Sequence, residues 1–148
     1  MRKTSVSVLF SAIVFVGLLA GCKKESTPPV SELIAKVWTA SKVEENNVTV
    51  YTKGATGNIR DYTKFSLDLS SAPTAKYTDY DGVQSTGKYS LPSDTRLSIT
   101  DMNPQLTGTN GTIEFTINSI DANNLKITRT TTSVKTGNTT NVYTLTSP

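Results

Sequence analysis

The chain has 148 residues, a formal net charge of +3, no histidine and one cysteine, and 7% of its side chains are aromatic. One domain is expected at this length, with roughly two-thirds of the unfolded chain's surface removed from water on folding, so a core forms without staples. Zinc clusters, Ser-His or Cys-His catalysis and a disulfide framework are excluded, because each needs residues that the chain lacks.

Met1-Arg2-Lys3-Thr4 is a short cationic opening, followed by an almost unbroken apolar run from Val6 to Ala20. That run falls short of the ~20 residues of a permanent membrane span, so residues 1–21 read as a secretory signal peptide. Leu19-Ala20-Gly21-Cys22 resembles the bacterial lipobox, which is cleaved just before a cysteine whose sulfur carries an acyl chain. The resemblance implies a lipoprotein acylated, as with palmitate, at Cys22. Two or three acyl chains, at ~0.8 kcal/mol per buried CH₂, hold such a protein on a membrane essentially for good.

Without residues 1–21 the net charge falls to +1, and from Ser31 onward it is zero, so nucleic acid is not an expected partner. Lys23 and Lys24 lie where they can rest on anionic head groups, although a solvated linker pair accounts for them equally well. Residues 22–30 form a lipidated tether, in which Pro28-Pro29 favours an extended chain of about 3 Å per residue. Surface-exported relatives tend to have acidic residues just after the cysteine. Lys23-Lys24-Glu25 does not fit that pattern, so the periplasmic face of the outer membrane is the expected location.

Residues 31–148 form the folded domain. Ser31 followed by Leu33, Ile34 and Val37 predicts one short helical turn capped by Ser31 and running toward Trp38. After Trp38 the pattern is that of strands. Phe65, Leu67 and Leu69 alternate with Lys64, Ser66 and Asp68, and Ile113, Phe115 and Ile117 alternate with Thr112, Glu114 and Thr116, so the apolar members share one buried face. Turn signals recur about every ten residues: Glu45–Asn47, Gly54–Asn58, Ser70–Thr74, Asp81-Gly82, Pro92–Asp94, Asn103–Gly111, Asp121–Asn124 and Gly137-Asn138. They imply about nine strands. Asp81-Gly82 is the sharpest signal and predicts a type I′ hairpin. The expected class is all-β: an antiparallel barrel or sandwich.

The pattern of Leu33–Trp38, Phe65, Thr74–Tyr77, Asp81-Gly82, Gly87-Lys88-Tyr89-Ser90, Leu97–Ile99, Ile120 and Leu125–Ile127 resembles the lipocalin-like lipoproteins of the Bacteroidetes type. One position departs from it: lipocalins usually have Gly two residues before the Trp, and Lys36 stands there. The resemblance implies an up-and-down barrel of eight to nine strands with a short N-terminal helical turn, plugged at its base by the Trp. It also implies binding of a small hydrophobic ligand inside, or an accessory role with an envelope protein partner. An eight-stranded interior is just filled by side chains or holds one small ligand.

The expected core or ligand-lining residues are Trp38, Phe65, Leu67, Tyr77, Tyr89, Leu97, Ile99 and Phe115, with Leu69, Ile113 and Ile117 in the same inward set. Asp79 and Asp81 have too few acidic companions for a calcium loop, because Ser90 occupies the closing position. Glu44 and Glu45 point to opposite faces of a strand and are expected in solvent. The six tyrosines at 51, 62, 77, 80, 89 and 143 could include an exposed subset that stacks on sugars or a partner. No spacing supports an enzyme and no cofactor is expected. The alternative is a β-sandwich adhesin or interaction module that presents its loops to a protein or glycan.

Overall fold

Alternating apolar residues in short segments can bury one face only if the strands close on a common core, and they do. The computed structural model describes residues 27–148. The signal peptide, lipobox, Cys22 and most of the tether therefore lie outside the described residues.

A single helical turn, α1 (Val30–Leu33), precedes nine strands: β1 (Val37–Glu45), β2 (Val48–Thr52), β3 (Ser66–Ser71), β4 (Thr74–Thr78), β5 (Gln84–Ser93), β6 (Arg96–Asn103), β7 (Ile113–Ile120), β8 (Asn124–Arg129) and β9 (Asn141–Thr146). β1 pairs with both β2 and β3, successive strands from β3 to β9 pair in turn, all antiparallel, and β9 pairs back onto β1 from Thr39↔Thr146 to Glu45↔Asn141, which closes the sheet. Closure removes the free edges that a sandwich would keep, so the sandwich alternative is corrected. The fold is an eight-stranded barrel plus one extra strand.

The extra strand has a simple origin. The start of β1 pairs with β3 (Val37↔Asp68 to Thr39↔Ser66) and its end pairs with β2 (Lys42↔Thr52 to Glu45↔Val48). β2 and β3 thus lie end to end along one edge of β1, as one staff of the barrel interrupted by residues 53–65. That excursion folds back on β2 through Ile59 N–H to Val50 O (3.0 Å) and carries Tyr62 and Phe65 into the core.

Trp38 fills the base. Its ring is fully buried and its Nε1–H donates to Ile34 O at 2.9 Å, tying β1 to the residue after α1. Lys36 lies over the indole at 5.9 Å and reaches Ala122 O in the β7–β8 turn. Above the base, Leu67, Leu69, Leu97, Ile99, Ile127 and Leu145 are sealed from water, each worth about 1.5–3 kcal/mol of burial. Gly87 lets β5 and β6 approach, since a Cβ there would lie 2.4 Å from Thr100 O.

Three local expectations are corrected. Ser31 is not the cap: the turn starts at Val30, and Pro29 O accepts both Glu32 N–H (3.0 Å) and Leu33 N–H (3.1 Å). Asp81-Gly82 is not a type I′ turn, because only Gly82 has positive φ (86°); the loop is longer, with Asp79 N–H donating to Val83 O at 2.9 Å. Pro92 is not in a turn. β5 continues to Ser93 through a register shift after Ser90, where a missing N–H is tolerated, and the chain reverses at Asp94-Thr95.

Candidate functional site

The strands end differently at the two ends of the barrel. The base carries the β3–β4, β5–β6 and β7–β8 turns, all tight. The other end, the mouth, carries the long connections 104–112 and 130–140, and the excursion 53–65 packs beside it.

Following each strand's inward face to the mouth gives a polar layer. On β1 the inward side chains are Trp38 and Ala40, then Val43 and Glu45, because the register toward β9 shifts between Ala40 and Lys42. This bulge moves Glu45 from the outer to the inner face. Glu45 is 7% exposed, which corrects the expectation that it is solvated. Arg60 grips its carboxylate with both N–H groups of one guanidinium edge, Nε to Oε1 at 2.8 Å and Nη2 to Oε2 at 3.4 Å, and Tyr62 Oη donates to Oε1 at 2.8 Å. Burial, above all, raises the Tyr62 phenol far above its ordinary range, so it remains a donor. The Arg60 guanidinium also lies 4.9 Å from the Tyr80 ring centre.

On β9 the inward series Leu145, Tyr143, Asn141 ends beside Glu45. Asn141 Oδ1 accepts from Thr139 Oγ1 at 2.7 Å, and its Nδ2–H donates to Tyr143 Oη at 3.2 Å. Burial pushes the Tyr143 hydroxyl up to about 12. On β8 the series Leu125, Ile127 ends at Arg129, opposite Phe115 of β7 and 5% exposed. Its Nε and Nη2 are buried without a hydrogen-bond partner among the described residues.

Residues 130–140, with the 3-10 turn Val134–Thr136, cover this layer. Lys135 Nζ bridges Asp81 (2.7 Å) and Asp79 (3.3 Å) of the β4–β5 loop, and Tyr80 Oη donates to Lys135 O at 3.1 Å. Asn46 and Thr140 exchange two bonds, at 3.0 and 2.9 Å. Gly108 of the neighbouring loop packs so closely that a Cβ there would lie 2.5 Å from Val134 Cγ2. The Lys135 hydrogen bond holds Asp81 below the ordinary carboxylate range. Burial works against the Lys135 charge, yet the two aspartates outweigh it and raise its pKa. Asp79 and Asp81 therefore share an ammonium.

Of the residues expected from sequence, Trp38, Phe65, Leu67, Tyr77, Leu97, Ile99 and Phe115 all lie in one buried core, and Tyr89 is half-buried with its hydroxyl on Leu69 O at 3.1 Å. Phe65 stacks on Tyr143 (4.8 Å, 16°) and meets Tyr77 edge-on at 5.5 Å, so an aromatic plug floors the polar layer. The tyrosines offer no exposed subset: four are buried, and Tyr80 and Tyr89 are half-buried. Sequence reasoning missed Glu45, Arg60, Arg129, Lys135 and Asn141. For Arg129 and Asn141 the signal was strand alternation continued past the last apolar residue.

A separate recess of about 300 Å³ lies on the barrel wall where β1 passes from β3 to β2, lined by Thr39, Ala40, Tyr51, Lys53, Thr63 and Pro148. Lys53 is the one charged side chain of that lining, whereas the mouth gathers several charged groups.

The chain matches no protein-family model and no curated protein sequence. Among solved structures it is similar to a lipocalin-like protein from Bacteroides uniformis, with 12% identity and a TM-score of 0.51, over 78% of this chain and 99% of that one. At that identity the likeness concerns the fold: the barrel is lipocalin-like.

Proposed function

We propose that this lipocalin-like barrel is a non-catalytic binding protein of the bacterial envelope, held to the outer membrane through an acylated Cys22. Its ligand is a small, largely apolar molecule received at the covered mouth. The observation that carries the binding reading is the buried polar layer at one end of an otherwise apolar, closed barrel. Small-molecule sites combine apolar walls with a few convergent polar groups that fix orientation, and barrel mouths are a recurrent place for them.

Native mass spectrometry of the full chain, extracted in mild detergent from a bacterial host, tests the binding reading. A non-covalent small-molecule adduct supports it, and a bare acylated chain counts against it. The anchor has its own test. Cys22→Ser should keep the fold and shift the protein to the soluble fraction, and its retention on membranes in alkaline carbonate would refute acylation at that position.

A further inference from the structure

A buried guanidinium rarely leaves its donors unmet, because an unpaired polar group away from water costs about 1–3 kcal/mol, more when charged. Arg129 has two such donors, Nε–H and Nη2–H, and they are neighbours on one edge of the guanidinium. That edge matches the two oxygens of a carboxylate or phosphate. The protein shows the pairing elsewhere in the same layer, where Arg60 presents its Nε and Nη2 to the two oxygens of Glu45 at 2.8 and 3.4 Å. Arg129 offers the same fork to no group among the described residues.

The nearby acceptors are engaged with others. Asn141 Oδ1 takes the Thr139 hydroxyl at 2.7 Å and Thr136 Oγ1 at 3.3 Å. Asp79 binds Lys135 at 3.3 Å and its own loop's Tyr80 N–H at 2.8 Å. Among the described residues no carboxylate lies within 4 Å of Arg129, although Glu45, Asp79 and Asp81 are all at the mouth.

We propose that the Nε/Nη2 edge of Arg129 docks an oxyanion, a carboxylate or phosphate group of a small molecule, beneath the 130–140 cover. This deepens the ligand-binding proposal and rests on it: the ligand is anionic at the end that faces Arg129. The aromatic plug of Phe65, Tyr77, Phe115 and Tyr143 limits how far an apolar part can follow, so the anion is held near the mouth.

The test titrates the detergent-extracted full chain, with ¹⁵N-labelled arginine, against hexanoate, hexan-1-ol and inorganic phosphate, and follows the Arg129 Nε–H resonance. A saturable shift with hexanoate, at least ten-fold tighter than any binding of hexanol, is expected. Arg129→Lys, which keeps the charge and removes the fork, should abolish that preference. Binding of phosphate as tight as hexanoate identifies a free anion as the ligand, and tighter hexanoate identifies an amphiphile's head group. Equal binding of hexanoate and hexanol with the Arg129 resonance unmoved overturns the oxyanion site and leaves the ligand-binding proposal standing. If no probe binds and Nε–H exchanges magnetisation with water alone, a buried water satisfies Arg129 and both proposals fall. Should Arg129→Lys fail to fold, the hexanoate and hexanol comparison on the unaltered protein decides the matter.

Discussion

At the Trp38 end of the barrel, α1 and tight turns close over an interior of hydrocarbon and one indole, whose single polar atom donates to Ile34 O at 2.9 Å. At the mouth, long loops close over two guanidinium groups, an ammonium, three carboxylates and a buried amide, each needing a partner of matching charge and geometry. The apolar closure rests on area removed from water, which is non-directional and tolerant of small shifts. The polar closure rests on one-to-one pairing, in which a single missing partner leaves a group stranded. The mouth is therefore the end where a foreign group can complete the structure.

Trp38→Ala should give the largest loss, about 3–5 kcal/mol, because it removes a fully buried side chain that α1 cannot collapse to replace. Urea unfolding of the full chain in detergent measures it, and a loss no larger than that of the mouth variants would break the contrast between the ends. Glu45→Ala should cost less, about 1–3 kcal/mol, since it strands the Tyr62 hydroxyl while Arg60, 29% exposed, can turn to water. Glu45→Gln, which keeps an acceptor for Tyr62, should recover part of that loss in the same measurement.

The smallest effect on overall stability belongs to the cover. Lys135→Met should leave the urea midpoint nearly unchanged yet accelerate hydrogen exchange of the 130–140 amides several-fold, with base amides unaffected. Acid should imitate it. Asp81 titrates below its ordinary value in the folded state, so its contribution is complete above about pH 3.9 and is lost as pH falls through that lowered pKa. Lys135 is shifted up, so its contribution is complete below about pH 10.4 and is lost as pH rises through the raised value. Protection of the cover amides, measured against their intrinsic exchange rate at each pH, should be greatest between these limits. Equal acceleration at the base would show that the two ends open as one unit.

The base was legible in the sequence. Trp38 follows a helical turn, Leu67, Leu97 and Ile99 alternate with polar neighbours, and turn residues punctuate the strands, all of which are local features that the period of a strand fixes residue by residue. The lipocalin-like barrel expected from that pattern is the fold observed. The mouth was not legible in this way. The alternation that starts at Trp38 places Glu45 outside, and only the bulge between Ala40 and Lys42, set by pairing with a strand a hundred residues away, turns it inward. The end-to-end placement of β2 and β3 frees residues 53–65 to bring Arg60 and Tyr62 to Glu45, and no local pattern announces that meeting. Strand alternation alone determined that Arg129 faces inward; the tertiary structure decided that its fork meets no carboxylate among the described residues, because register and loop packing, which act between distant segments, assign the acidic groups at the mouth to Arg60 and Lys135.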